Sequence, residues 1–277
     1  MIRRPSWVWL VAIAVVLVCP ACDVKVGEGG VSVDFSAGKA TDEWVRSYDI
    51  KPGGELSIVN VNGGIVASPS PGTQVEVRAI REARTGSEES SRELLRKAEM
   101  RETVTPERVS IQPPEDQGRG RPFGRAQLSM RYTVRIPPGL NLTLKTQNGE
   151  VRLENIQGVR IVASSTNGGI TGRAVAGAVE AATVNGGIQM DLETVGGETR
   201  LSTVNGGVAL TLAPGVNAEL EATVVNGGVQ VQDGLVLTAE ERSRQRVAGR
   251  IGSGGPRLVL QTTNGGVRVS PRGATGS

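Results

Sequence analysis

Seven Asn-Gly pairs, each set in the same local pattern, constrain this chain more than anything else in it. They begin at Asn62, Asn148, Asn167, Asn185, Asn205, Asn226 and Asn264. From Asn148 to Asn226 the intervals are 19, 18, 20 and 21 residues, and the step to Asn264 is 38, close to two periods. A unit of about 20 residues is too short to bury a hydrophobic face of its own, so neighbouring units must stack.

Aligning the copies on Asn exposes columns. Six residues before it stand Leu56, Leu142, Ile161, Val179, Thr199, Leu220 and Leu258. Four before stand Ile58, Leu144, Ala163, Ala181, Leu201, Ala222 and Leu260, and three after stand Ile65, Val151, Ile170, Ile188, Val208, Val229 and Val267. Alternation with period 2 on both sides of Asn predicts a strand, a corner and a second strand sharing one inward face. The corner residues are those that adopt positive φ at least cost; others are penalised there by about 1–2 kcal/mol. Two geometries satisfy this pattern. Asn-Gly between strands is a strong signal for an antiparallel hairpin. Alternatively each copy is one coil of a parallel β-helix, with the Asn amides stacked in a ladder. The near-constant interval, the column that is aliphatic in every copy and the recurrence of Asn itself favour coils, and small inward residues such as Ala163, Ala181 and Ala222 suit a narrow tube.

Outside the repeats the texture changes. Val75 to Ile80 alternates as a strand. Residues 87–101 are charged and helix-favouring, with Ser90 and Glu93 at capping-box spacing and Leu94, Leu95 and Ala98 as one apolar stripe. Residues 112–127 form a Pro/Gly/Arg-rich loop, Gln127 to Ile136 alternate again, and residues 239–256 read as a charged and then Gly-rich loop. The resulting division is a leader over 1–22, a tether over 23–43, an N-terminal β block with one inserted helix over 44–136, the repeats over 137–270, and a disordered tail over 271–277. The strand–helix block is suited to cap one open end of a stack.

The amino terminus has the form of an export signal: Arg3 and Arg4, then an apolar run from Trp7 to Val18. The end of the run, Val18-Cys19-Pro20-Ala21-Cys22, resembles a bacterial lipoprotein signal with Cys22 as the acylated residue, although Cys19 and Pro20 depart from the usual motif. Retention as an uncleaved anchor and ordinary secretion are the alternatives. Cys19 and Cys22 also spell C-x-x-C, but inside a hydrophobic leader that lacks the helix-opening context of a redox site. The chain has only these two cysteines, so nothing after Cys22 forms a disulfide.

Composition excludes whole classes of chemistry. The chain has no histidine, which removes imidazole triads, His metal sites and imidazole pH switches. Aromatics are 3% of residues, leaving few stacking platforms for sugars or bases. The net charge of +3 is not a nucleic-acid footprint, and the AT-hook-like Arg119-Gly120-Arg121-Pro122 is a short, isolated match. Calcium rolls need a recurring Asp after the glycine corner; here a β-branched residue follows. No P-loop or dinucleotide fingerprint is present, and no cofactor is implied. Parallel β-helices do host polysaccharide-cleaving enzymes, which need two carboxylates facing one cleft. Asp191 with Glu193 and Glu219 with Glu221 are spaced to share an outer face, where solvated carboxylates are the simpler reading. The residues thus give no catalytic and no metal-binding candidates.

The iterated T-x-N-G-G-I/V signature, the helix-bearing insert after the first copy and the closing Arg250-Ile251-Gly252-Ser253-Gly254 before Asn264-Gly265-Gly266 resemble the bacterial putative-adhesin β-strand-repeat family. That family is a domain of unknown function related to adhesin-head domains of envelope proteins. The resemblance spans about residues 44–270. It implies an all-β, right-handed β-helix-like solenoid with coils of about 19 residues, exposed on the cell envelope, and it implies no reaction. The expectation is a non-enzymatic, lipid-anchored binding or scaffolding module. Its partner would be an envelope polymer or protein, and it would meet the membrane through the anchor. An envelope-stress sensor and a polysaccharide-active enzyme are the alternatives.

Overall fold

The computed structural model describes residues 23–27, 30–34, 38–114 and 126–273. Its elements are, in order, β1 (Asp23–Gly27), β2 (Gly30–Asp34), β3 (Gly38–Tyr48), β4 (Glu55–Val59), β5 (Ile65–Pro69), β6 (Val75–Thr85), α1 (Glu88–Lys97), β7 (Arg101–Val104), β8 (Arg108–Gln112) and β9 (Gln127–Ile136). The repeats then supply β10 (Asn141–Asn148), β11 (Val151–Glu154), β12 (Gln157–Asn167), β13 (Ile170–Asn185), β14 (Ile188–Val195), β15 (Thr199–Asn205), β16 (Val208–Leu212), β17 (Ala218–Val231), β18 (Leu237–Arg242), β19 (Arg246–Ile251) and β20 (Arg257–Pro271).

The repeats are parallel coils, not hairpins: the protein is a β-solenoid. One wall is built from the strands that precede each Asn and the other from those that follow it. In the first wall β4, β10, β12, the second half of β13, β15, β20 and β17 pair in parallel. Their register sets Asn148 against Asn167, Asn167 against Asn185, Asn185 against Asn205, and Asn205 against Asn264. The three aliphatic columns are the core: every member is at most 2% exposed except Val229, at the open end, which is only partly buried. Thr199 takes its aliphatic column position at no exposure because its hydroxyl accepts from the Val179 amide at 3.3 Å.

Spatial and chain order diverge at the far end. β20 lies between the coil of Asn205 and the coil of Asn226, pairing in parallel with β15 and β16 on one side and with β17 on the other. The segment 239–256, expected to be a loop, supplies most of β18 and all of β19. β19 runs antiparallel to the first half of β17 and β18 antiparallel to β19, so this hairpin covers the wall edge that the terminal coil would otherwise leave bare. The hairpin also carries the chain back so that β20 enters the slot.

At the near end the insert after the first coil acts as the cap. β9 pairs in parallel with β5 and continues the second wall into antiparallel β6 and β3; β8 pairs in parallel with β4 and continues the first into antiparallel β7. The boundary drawn at residue 136 separates nothing in space, because β4 and β5 stack directly on β10 and β11. The cap begins at Gly38 rather than near Trp44, since β3 pairs with β6 over its whole length. Within the stretch read as a tether, β1 and β2 form an antiparallel hairpin.

Helix α1 starts one turn earlier than the capping-box spacing of Ser90 indicates. Ser87 is the N-cap: its side chain accepts from the Ser90 amide at 3.2 Å, with Glu88 and Glu89 in the first turn and Arg96 and Lys97 in the last. Leu95 and Ala98 are buried and Leu94 is partly buried, as the stripe requires. Ser91, with no exposure, hydrogen-bonds the Gly38 carbonyl and ties the helix to β3. Arg101, counted at the end of the expected helix, opens β7 instead. The Arg-rich loop has Gln112 closing β8 and Gln127 opening β9, with 115–125 outside the described residues. Cys22 also lies outside them. Of the expected disordered tail, Pro271 belongs to β20 and the Arg272 amide bonds the Leu212 carbonyl at 2.7 Å.

Candidate functional site

The seven corners meet along one edge of the solenoid. The Asn148 side-chain amide donates to Asn62 Oδ1 at 2.9 Å, Asn167 to Asn148 at 2.8 Å, Asn185 to Asn167 at 2.9 Å, Asn205 to Asn185 at 2.9 Å, Asn264 to Asn205 at 2.9 Å and Asn226 to Asn264 at 2.8 Å. At the near end Asn62 donates to the Leu128 carbonyl of β9, which joins the ladder to the cap. The ladder lies on the outside: all but Asn62 are exposed.

A second, buried ladder runs beside it. Hydroxyls two residues before Asn donate to the carbonyl of the first corner glycine one coil away: Thr146 to Gly63, Ser165 to Gly149, Thr183 to Gly168, Thr203 to Gly186 and Thr262 to Gly206, all at 2.8–2.9 Å. In the first coil Asn60 performs the same task with its amide, reaching both Gly63 and Met130 carbonyls at 2.8 Å. The signal for this ladder stood in the sequence as a Thr/Ser column at an inward position, where a buried hydroxyl must find an acceptor.

The expectation of positive φ at the corners is corrected for asparagine. Among the described residues only Asn155 and Ala174 are non-glycine residues with positive φ, and neither is a corner. Corner asparagines end or continue strands; they are selected for an amide that both donates and accepts. The glycine is required by close approach. A Cβ at Gly186 would stand 2.2 Å from the Gly168 carbonyl oxygen, and one at Gly206 2.0 Å from that of Gly186. The second corner position is looser: a Cβ at Gly187 or Gly207 would meet its nearest atom at 3.3–3.4 Å, and one copy of the repeat carries Glu150 there.

Next to the ladder lies an uncharged surface. Across the coils of Asn167, Asn185, Asn205, Asn264 and Asn226, the positions three before Asn are Ser164, Ala182, Ser202, Gln261 and Thr223, and those one before are Thr166, Val184, Val204, Thr263 and Val225. None of these is charged, nor is any corner glycine, in a chain that is 21% charged. Val184, Val204 and Val225 are 42%, 41% and 57% exposed. Between the last coils the surface dips into a shallow groove of about 350 Å³, lined by side chains that include Ser202, Val204, Thr223, Val225, Gln261 and Thr263.

The acidic pairs are engaged by arginine. Arg272 bonds Asp191 at 2.7 and 3.2 Å and Glu193 at 2.6 Å, and these two carboxylates hold its guanidinium above the ordinary arginine range. Glu221 is met by Arg257 at 2.9 Å and Arg246 at 3.3 Å, while Glu219 is exposed on the same strand. Arg272 was hidden from sequence reasoning because it lies past the last repeat, in residues expected to be disordered. Among the described residues no three His, Cys, Asp or Glu cluster in a way that could hold a metal ion, and no helix is long and apolar enough to cross a membrane.

A family model described as Toastrack DUF4097 matches residues 73–270. No curated protein matches the chain. Among solved structures, a putative cell adhesion protein from Clostridium sporogenes is similar with a TM-score of 0.49 at 10% identity, covering 84% of this chain and all of that one. A putative adhesin from Bacteroides fragilis follows with a TM-score of 0.31 at 10% identity over 82% and 97% of the two chains. A putative lipid binding protein from Parabacteroides distasonis gives 0.30 at 9% identity over 83% and 96%.

Proposed function

The chain belongs to the Toastrack DUF4097 family, and within it we propose that this protein is a non-enzymatic, adhesin-like binding module of the bacterial envelope, exported and held at a membrane through acylated Cys22. The observation that carries the reading is the uncharged face beside the asparagine ladder. Its backbone is fixed by strand pairing, parallel between coils and antiparallel where β19 edges the terminal one, and by the asparagine ladder, so its side chains are presented with little freedom left to lose on binding. Exposed valines supply apolar contact, while the hydroxyls and amides around them supply directional bonds. Lack of charge at these positions over five coils suits an uncharged stretch of envelope polymer or protein, with the Arg200 guanidinium, which donates to Gln261 at 3.2 Å, at its border.

The experiment is retention on isolated envelopes of the purified protein carrying Cys22→Ser, so that no acyl chain holds it there. Val204→Glu with Val225→Glu places two carboxylates on the face, at sites exposed enough to leave folding intact. Retention is expected to fall at least about tenfold, the cost of burying unpaired charge, while the melting temperature holds. Undiminished retention sinks the assignment of this face. Cys22→Ser is expected to release the protein from membranes without changing its fold.

A further inference from the structure

Tyr132, on β9 where the cap meets the first coil, is fully buried, and its hydroxyl is poorly served. Among the described residues its hydrogen-bond partners are two thioether sulfurs, Met130 at 3.6 Å and Met100 at 4.0 Å. Sulfur is a weak acceptor, so a buried phenol that could make one full hydrogen bond has its single proton served by two feeble acceptors. The other tyrosine of the region, Tyr48, donates to the Glu102 carboxylate instead.

The two sulfurs differ in access. Met130 has no exposure, whereas Met100, in the link between α1 and β7, is only partly buried. Met190, the remaining methionine of the described residues, is 2% exposed, with its sulfur against Gly172. Met100 is therefore the one described methionine that is not fully buried in the folded protein.

We propose that Met100 is a built methionine-oxidation site, at which a peroxide-class oxidant forms a sulfoxide that Tyr132 then stabilises. The thioether sulfur attacks one oxygen of hydrogen peroxide and the O–O bond breaks. The sulfur loses two electrons and keeps that oxygen, whose proton passes to the departing hydroxide, so that the other oxygen leaves as water. Oxidation elsewhere damages a core by placing a polar group among apolar ones. Here the new S=O, directed to the phenol, is a strong acceptor within reach of a buried donor that lacked one. The site accepts oxidation without loosening the junction, and a sulfoxide reductase can restore it.

Peptide mapping by mass spectrometry after graded hydrogen peroxide treatment of the folded protein tests the inference, with melting temperatures of the same samples. Met100 is expected to oxidise at least about tenfold faster than Met130 and Met190, in keeping with exposure as the controlling factor. The melting temperature of the singly oxidised protein should hold or rise. Tyr132→Phe removes the donor: its Met100 should oxidise at the same rate, but oxidation should now lower the melting temperature. Met100→Leu should abolish the first oxidation event altogether. Equal rates at all three methionines overturn the proposal, as does a fall in melting temperature that is the same with Tyr132 and with Phe.

Discussion

Gly186 and Gly187 are adjacent and chemically identical, yet the solenoid asks different things of them. At Gly186 the neighbouring coil's carbonyl oxygen occupies the place of a side chain; at Gly187 the nearest such oxygen stands 3.4 Å away. Gly186→Ala must therefore push two coils apart and should cost about 2–3 kcal/mol, the range of an overpacked core. Gly187→Ala should cost under about 1 kcal/mol, an ordinary surface effect. Urea denaturation of the two variants checks the pair, and equal losses would show that coil spacing does not set the glycine. A single sequence displays both glycines as corner residues and ranks them only faintly, through Glu150 at the second position. Likewise the asparagines could be recognised as corner-forming, but backbone freedom and side-chain pairing leave the same letter in the sequence. Only the register, which sets amide against amide, separates the two causes.

At the scale of elements, β20 is the last strand in the chain but not the last in the stack. Leu258, Val259, Leu260, Val267 and Val269 are each at most 2% exposed, and both neighbours of the strand depend on it for their hydrogen bonds. Each such side chain contributes about 1.5–3 kcal/mol by burial, so the strand as a whole is comparable with the ~5–15 kcal/mol that holds a typical domain folded. A chain ending at Pro256 should consequently lose the coils of Asn205 and Asn226 together, seen as rapid amide exchange over β15 to β17. Retained protection in β17 would mean that the β18–β19 hairpin alone can seat the terminal coil. Period and columns made the coils themselves legible, because each coil repeats the burial of the one before. The inserted order was not legible: an interval of 38 residues is consistent with a skipped coil and equally with a hairpin return. The hairpin was also missed because its strands are largely polar outside Val247 and Ile251, β18 being exposed along most of its length. Ser90 misled for a related reason, since Ser87 and Ser90 both have capping side chains and only the docking of Ser91 on Gly38 decides between them.

Taken whole, the molecule has one continuous core from Ala40 to Val269, and its response to pH follows from which groups titrate on its surface. Glu43, Glu82, Glu93 and Glu107 are each held below the ordinary carboxylate range, first by side-chain hydrogen bonds from Arg78, from Lys39 and Arg84, from Lys97 and from Lys51 respectively. A carboxyl lowered in the folded state binds its proton less readily there than in the unfolded chain. Its contribution is present above the unfolded value of about 4.3 and is lost as pH falls through the folded value. These pairs are exposed, so the acid loss should be gradual and should shrink in salt. At the alkaline side Tyr48 and Tyr132 are raised, chiefly by burial and, for Tyr48, by the Glu102 carboxylate that accepts its hydroxyl. Their contribution is complete below the unfolded value of about 10 and is lost as pH rises beyond it. Between these limits the chain has no histidine to titrate. Melting temperature should therefore be level from about pH 5 to about pH 9, with a shallow fall below and a steeper one above about pH 10, where the two phenols ionise in the unfolded chain but hold their protons in the folded one. A step near neutral pH in a scan of melting temperature would require a titrating group that these side chains do not provide, and would overturn this account of the surface.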